Sequence, residues 1–133
     1  MYTSIIQVRD QLNDTNNPDW VAIDHVQPAI PVGGEPVARQ FYVGVLGFVE
    51  MPKPPVMAAR GGCWLQAGAV KLHLGAETEF VPARKAHPAL LLHGLSKFIA
   101  ANGLSAAWSD EIVGTVRCHI EDPFGNRIEL IEA

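Results

Sequence analysis

Lys71-Leu72-His73-Leu74 matches Arg127-Ile128-Glu129-Leu130 position for position. The two stretches lie near the ends of two similar halves of the sequence, and this match is the basis of the fold prediction. Each stretch is basic, apolar, polar and apolar in turn, an alternation typical of a strand with one buried face. His73 and Glu129 occupy the same place in the two stretches. Each half therefore ends in a strand that carries one side chain able to bind a metal ion.

The helices and strands predicted before these two closing strands follow the same order in residues 21–75 and 87–132. The first half predicts a strand at 21–30, a helix at 36–46 and strands at 48–51, 62–66 and 70–74; the second half predicts a strand at 87–93, a helix at 95–102 and strands at 104–108, 115–121 and 127–132. This internal repeat predicts an α+β fold in which two βαβββ modules form a curved open sheet around one cleft. Residues 21–133 are expected to form one domain. Residues 1–20, with a short helix at 5–12, are expected to form an N-terminal arm outside it.

Length and composition limit the function classes. A chain of 133 residues fits one domain, and 48% hydrophobic with 18% charged residues is typical of a soluble globular protein. The ten basic residues are spread along the chain, so nucleic acid is not an expected partner. No apolar run approaches the roughly 20 residues that cross a bilayer. Cys63 and Cys118 form no CxxC pair and no secretory signal is visible, so we expect a reducing cytoplasm.

Each half also places a histidine on its opening strand, His25 in the first half and His87 in the second. Side chains on a strand alternate between its faces, so His73 and Glu129 point away from the apolar faces of their strands. If a pseudo-twofold axis relates the modules, these four side chains converge in the cleft. Three imidazoles and a carboxylate suit one divalent transition metal ion (Zn²⁺, Fe²⁺, Mn²⁺, Ni²⁺ or Co²⁺) better than Mg²⁺ or Ca²⁺.

Residues 21–132 resemble the vicinal oxygen chelate superfamily, which includes glyoxalase I, methylmalonyl-CoA epimerase, extradiol dioxygenases and the fosfomycin and bleomycin resistance proteins. The motifs that carry the resemblance are Ile23-Asp24-His25-Val26, Phe41-Tyr42 followed by Leu46-Gly47-Phe48, His87-Pro88-Ala89, and Asp122-Pro123-Phe124-Gly125-Asn126-Arg127-Ile128-Glu129-Leu130. The resemblance implies paired βαβββ modules, a homodimer, and in some members a site shared between chains.

By matching position, the resemblance implies that His25, His87 and Glu129 are metal ligands, as in the two-histidine, one-carboxylate triad of the dioxygenase branch. The sequence departs from glyoxalase I at His73, where that enzyme carries a second carboxylate. A histidine there can still bind metal or transfer a proton, but it brings no negative charge. His73 is therefore a fourth candidate ligand, with substrate binding as the alternative.

Four further residues are candidates for contact with substrate. Arg117 and His119 share one face of the strand at 115–121, and they can orient a polar or anionic substrate if that face lines the cleft. An exposed strand face is the alternative. Trp64 and Phe41 are candidates for an aromatic lining, with core packing as the alternative for Trp64.

Together these residues predict a metal-dependent enzyme that acts on a small oxygen-chelating substrate, either a glyoxalase-like lyase or isomerase or a dioxygenase. Glu129 is the expected catalytic residue, as a base that leaves the metal during turnover. The competing hypothesis is a metal-free protein of the bleomycin-resistance type, which binds or sequesters a small molecule in the same cleft.

Overall fold

A computed structural model of the chain describes residues 16–133. Its elements are β1 (Ala29–Pro31), α1 (Glu35–Tyr42), β2 (Val49–Met51), α2 (Pro55–Ala58), β3 (Cys63–Ala67), β4 (Val70–Glu77), β5 (Ala89–Leu92), α3 (Leu95–Ala101), β6 (Ala107–Ser109), β7 (Arg117–Glu121) and β8 (Arg127–Glu132). None of the helices in this part of the chain is long and apolar enough to cross a membrane. The predicted helix at 5–12, and with it most of the predicted arm, lies outside the described residues.

The strands form two four-stranded sheets with the same topology, ordered β1-β4-β3-β2 and β5-β8-β7-β6. In each sheet the opening strand pairs in parallel with the closing strand, and the remaining neighbours are antiparallel. A parallel pair requires a long connection between its strands, and here α1 or α3 and two strands lie within that connection. The predicted α+β fold with two βαβββ modules is confirmed.

The closing strands alternate as their sequences predict. Leu72 and Leu74 on β4 are buried, as are Ile128 and Leu130 on β8. This face packs in the core with residues of the two longer helices: Ala38, Tyr42, Leu95 and Ile99. On each sheet the other face, away from the hydrophobic core, carries His73 or Glu129.

The opening strand of the first module is shorter than predicted. The expected strand at 21–30 consists of one isolated bridge, Val26 to Leu72, followed by β1 at Ala29–Pro31. Pro28 interrupts the ladder because it has no N–H to donate, although its carbonyl still accepts from Gly75 at 2.9 Å. His25 therefore lies just before the paired segment.

The helices also differ from the prediction. The first begins at Glu35 and ends at Tyr42, four residues before the predicted end at 46. The short helix α2 was not predicted at all, because the prolines before it read as a loop. Pro55 is its first residue, a position where the missing N–H of proline leaves no helical hydrogen bond unmade.

A buried hydrogen-bond network joins the two modules. The hydroxyl of Tyr42 on α1 donates to Asp122 Oδ2 at 2.8 Å, and burial raises the pKa of Tyr42, which keeps that hydroxyl protonated. The Asn126 side chain donates to the carbonyl of Ala29 at 2.8 Å and accepts from the amide of Ala83 at 2.9 Å. Asn126, which the sequence marks only as a turn residue, therefore fixes the position of one module against the other.

Candidate metal centre

Three side chains of the second module that are able to bind a metal ion lie together. His119 on β7 is directly opposite Glu129 on β8, and His87 lies two residues before Ala89, which is level with Glu129 on the other side of β8. The Nε2 atoms of His87 and His119 lie 3.0 and 3.6 Å from the same oxygen, Oε1 of Glu129. The ligand atoms of all three residues lie within 4.8 Å of one another.

The turn before β8 produces this register. Asp122 Oδ1 accepts hydrogen bonds from the amides of Phe124 and Asn126, both at 2.9 Å, which closes a tight reversal between β7 and β8. The hairpin is centred on Phe124, so residues at equal distances from it, such as 119 and 129, are paired. The position of His119 thus follows from the turn sequence.

Glu129 is largely buried, with 13% of its side chain exposed, and two cationic or hydrogen-bonding groups hold its carboxylate. The hydrogen bond to His87 lowers the pKa of Glu129, and Arg117, 3.3 Å from Oε2, lowers it further against the opposing effect of burial. Glu129 therefore remains ionised at neutral pH, with Oε1 facing the histidines and Oε2 facing Arg117.

Neighbouring side chains hold Arg117 in place beside Glu129. It donates to Ser109 Oγ at 3.0 Å, lies 3.6 Å from the carboxylate of Glu111, and is 12% exposed. Its Nε atom is buried with no hydrogen-bond partner in the described part of the chain. The structure thus places this predicted substrate-binding residue beside the carboxylate of Glu129, and a contact with substrate stays a prediction.

In the first module, three rings form a stack. The ring of His73 lies between His25, at a centroid distance of 3.8 Å, and Trp64, at 4.2 Å, with interplanar angles of 17° and 9°. Burial lowers the pKa of His73, and the neighbouring His25 lowers it further. His25 also hydrogen-bonds Asp24 through Nδ1 at 2.9 Å. The stack lines a cleft of about 610 Å³ that also contains Lys71.

The structure thus brings the four predicted ligands together as two pairs, His25 with His73 and His87 with Glu129. Among residues 16–133, the one group of three donors within 4.8 Å contains the second pair and His119. Convergence of all four predicted ligands stays a prediction. The sequence identified His119 only as a candidate for substrate contact, although the turn centred on Phe124 already indicated its pairing with Glu129.

The two predicted aromatic contacts lie in different places. Trp64 lines the cleft of the first module through its stack with His73. Phe41 lies on α1, partly buried against the hydrophobic core, with its ring perpendicular to Tyr42 at 5.0 Å. Substrate binding by either residue stays a prediction.

The donor set of the second module fits a divalent transition metal ion. Two imidazole nitrogens and one carboxylate oxygen form the mixed N/O set that Zn²⁺, Fe²⁺, Mn²⁺, Ni²⁺ and Co²⁺ accept, whereas Mg²⁺ and Ca²⁺ prefer oxygen alone. Three protein donors also leave positions for exogenous oxygen ligands. The side chains of His87 and His119 are 25% and 26% exposed, so a ligand can approach from solvent.

Comparison with solved structures identifies the family. The crystal structure of a glyoxalase family protein from Bacillus anthracis is 39% identical, with a TM-score of 0.83, and the match covers 87% of this chain and 98% of that one. A lactoylglutathione lyase from Agrobacterium tumefaciens (18% identity, TM-score 0.63, 87% and 96% covered) and a glyoxalase/dioxygenase from Nostoc punctiforme (20%, 0.65, 90% and 97%) share the fold. Searches against protein-family models and curated proteins return no match. The chain therefore belongs to the glyoxalase family of the vicinal oxygen chelate superfamily.

Proposed function

We propose that the protein is a metal-dependent enzyme that acts on a small substrate with two neighbouring oxygen atoms, by lyase, isomerase or dioxygenase chemistry. The observation that carries this proposal is the approach of two imidazole nitrogens to one ionised carboxylate oxygen at a solvent-accessible site. His87 and Glu129 occupy positions at which the sequence predicts ligands. His25 and His73 are proposed to complete the site from the first module.

A divalent transition metal ion bound here supplies a Lewis acid that polarises the two substrate oxygens. Glu129 is the proposed proton acceptor, because its lowered pKa keeps the carboxylate ionised at neutral pH. Arg117 holds the second carboxylate oxygen and so fixes the direction in which Oε1 points. The ring stack of the first module offers an aromatic wall against which a substrate can be oriented.

We also propose a homodimer. An apolar groove of about 290 Å³ lies between the modules and includes Leu91 on the edge strand β5, which is 63% exposed. Pairing with a second copy covers such a groove and an unpaired strand edge at once. Light scattering at micromolar concentration is expected to give twice the chain mass, and a monomer would contradict this part of the proposal.

The second candidate function is metal-free binding of a small molecule. The stack of Trp64, His73 and His25 favours it, because stacked rings bind planar or apolar ligands without any metal.

Metal analysis separates the two candidates. Protein purified without an affinity tag or chelator is expected to contain one transition metal ion per chain, and His87→Ala is expected to lose it. His93→Ala is the matched control, because His93 is an exposed histidine outside the site. If the wild-type protein holds no metal and takes up none of Zn²⁺, Mn²⁺, Ni²⁺ or Fe²⁺, metal-free binding replaces the enzyme proposal.

A further inference from the structure

We propose that His119 is a metal ligand, so that the second module alone forms a three-donor metal site with His87, His119 and Glu129. This inference rests on the proposed function, because it requires that the chain binds a transition metal. It differs from the sequence prediction, in which His119 contacts substrate. His25 and His73 of the first module add to the site, but the three donors of the second module hold the metal without them.

The distances between the donor atoms support this site. Ligand atoms about 2.1 Å from a shared metal lie roughly 3.0 Å apart at a right angle and roughly 3.4 Å apart at a tetrahedral angle. Oε1 of Glu129 lies 3.0 Å from Nε2 of His87 and 3.6 Å from Nε2 of His119. The two imidazole rings are nearly perpendicular, at 79°, so both nitrogens can reach one point without the rings colliding.

The contacts of His87 also direct its Nε2 atom to this place. Its Nδ1 lies 2.8 Å from the carbonyl oxygen of Lys85, and a carbonyl can only accept, so Nδ1 is the donor in this contact. The other ring nitrogen, Nε2, then faces Oε1 of Glu129 at 3.0 Å. A backbone carbonyl on Nδ1 is the usual second contact of a metal-binding histidine.

Within residues 16–133, three donors lie within 4.8 Å of one another only in the second module. In the first module the residue directly opposite His73 is Trp64, and in the second the residue directly opposite Glu129 is His119. Trp64 offers an indole that cannot ligate a metal ion through a lone pair. The equivalent position therefore supplies a third ligand in one module and an aromatic wall in the other.

The test is the affinity of the full-length chain for Zn²⁺, measured by competition with a chromophoric chelator. His119→Ala is expected to weaken Zn²⁺ binding by about 100-fold or more. Removal of a residue that only supports a ligand typically weakens metal binding by about 10–100-fold. The control His93→Ala is expected to bind as the wild type does. A double variant with His25→Ala and His73→Ala is expected to retain one Zn²⁺ per chain, with a smaller loss of affinity than His119→Ala.

The outcomes separate this inference from the proposal beneath it. Suppose that His87→Ala loses Zn²⁺ while the affinity of His119→Ala for Zn²⁺ is within about threefold of the wild-type value. This change is smaller than the effect of removing a residue that supports a ligand, so the metal site would be retained and the proposed role of His119 would be wrong. If the double variant loses Zn²⁺ entirely, the three-donor site is also wrong. If the wild type binds no metal, the proposed function itself fails. His119→Gln is measured beside His119→Ala. Thermal denaturation of each metal-free variant shows whether it folds, which distinguishes a lost ligand from a misfolded chain.

Discussion

The hydroxyl of Tyr42 in the first module donates a hydrogen bond to the carboxylate of Asp122 in the second module, across 2.8 Å and 80 positions of the sequence. Tyr42 is fully buried and Asp122 is 5% exposed, so neither group has water as an alternative partner. Asp122 also closes the turn that sets the pairing of His119 with Glu129. The contact therefore connects the packing of the two modules to the geometry of the candidate metal centre.

Removal of this contact is expected to destabilise the fold. Tyr42→Phe leaves the buried carboxylate of Asp122 without one donor, and we expect the free energy of unfolding to fall by about 1–3 kcal/mol. Asn126→Ala removes three hydrogen bonds of the same network and is expected to cost at least as much. Chemical denaturation measures both, with Asn102→Ala as the control because Asn102 is exposed and its side chain donates to the carbonyl of Phe98 in the adjoining helix. Equal losses for Asn102→Ala and Asn126→Ala would contradict the role given to the network.

Two glycines with positive φ provide a matched pair. Gly62 and Gly68 both have positive φ, at +76° and +56°, so alanine at either costs about 1–2 kcal/mol of conformational strain. A Cβ at Gly62 would lie 1.9 Å from the carbonyl oxygen of Leu74, whereas a Cβ at Gly68 meets nothing within 4 Å. Gly62→Ala is therefore expected to be clearly the more destabilising in thermal denaturation. Similar losses for the two variants would show that β4 moves freely at Leu74, next to His73.

The carboxylate of Glu35 predicts a pH-dependent contribution to stability. The amide of Gly62 donates to Glu35 Oε1 at 3.0 Å, and this hydrogen bond lowers the pKa of Glu35 from its ordinary value of 4.5. A carboxylate whose pKa falls on folding stabilises the protein above its unfolded pKa and loses that effect as pH falls through the folded pKa. The difference in Tm between wild type and Glu35→Gln is therefore expected to be positive at pH 7 and to shrink below pH 4.5. A difference that stays constant from neutral to acidic pH would rule out this contact.

The fold was predictable from the sequence where strand alternation is strong. Leu72 and Leu74 are buried and His73 faces away from them, as the period of two requires. The first strand was predicted too long because its apolar residues Val21 and Ile23 are exposed and Pro28 breaks the ladder. Local propensity cannot reveal that these apolar side chains are exposed.

The candidate site was predictable in part. His87 and Glu129 are in contact, as the repeat indicated, and the pairing of His119 with Glu129 follows from the turn centred on Phe124. The contact between Tyr42 and Asp122 was not predictable, because no local pattern links a helix residue to a turn 80 positions away. The position of the pair His25 and His73 relative to the pair His87 and Glu129 depends on how the modules pack, and a single sequence does not specify that packing.

The most direct test of the proposed metal centre is a crystal structure of the protein loaded with Zn²⁺, with the metal located by anomalous scattering at the zinc edge. We expect one strong anomalous peak per chain, at about 2.0–2.2 Å from both Nε2 of His87 and an oxygen of Glu129. Crystals that show no peak at this place, or a peak bound only by residues elsewhere on the chain, would contradict it.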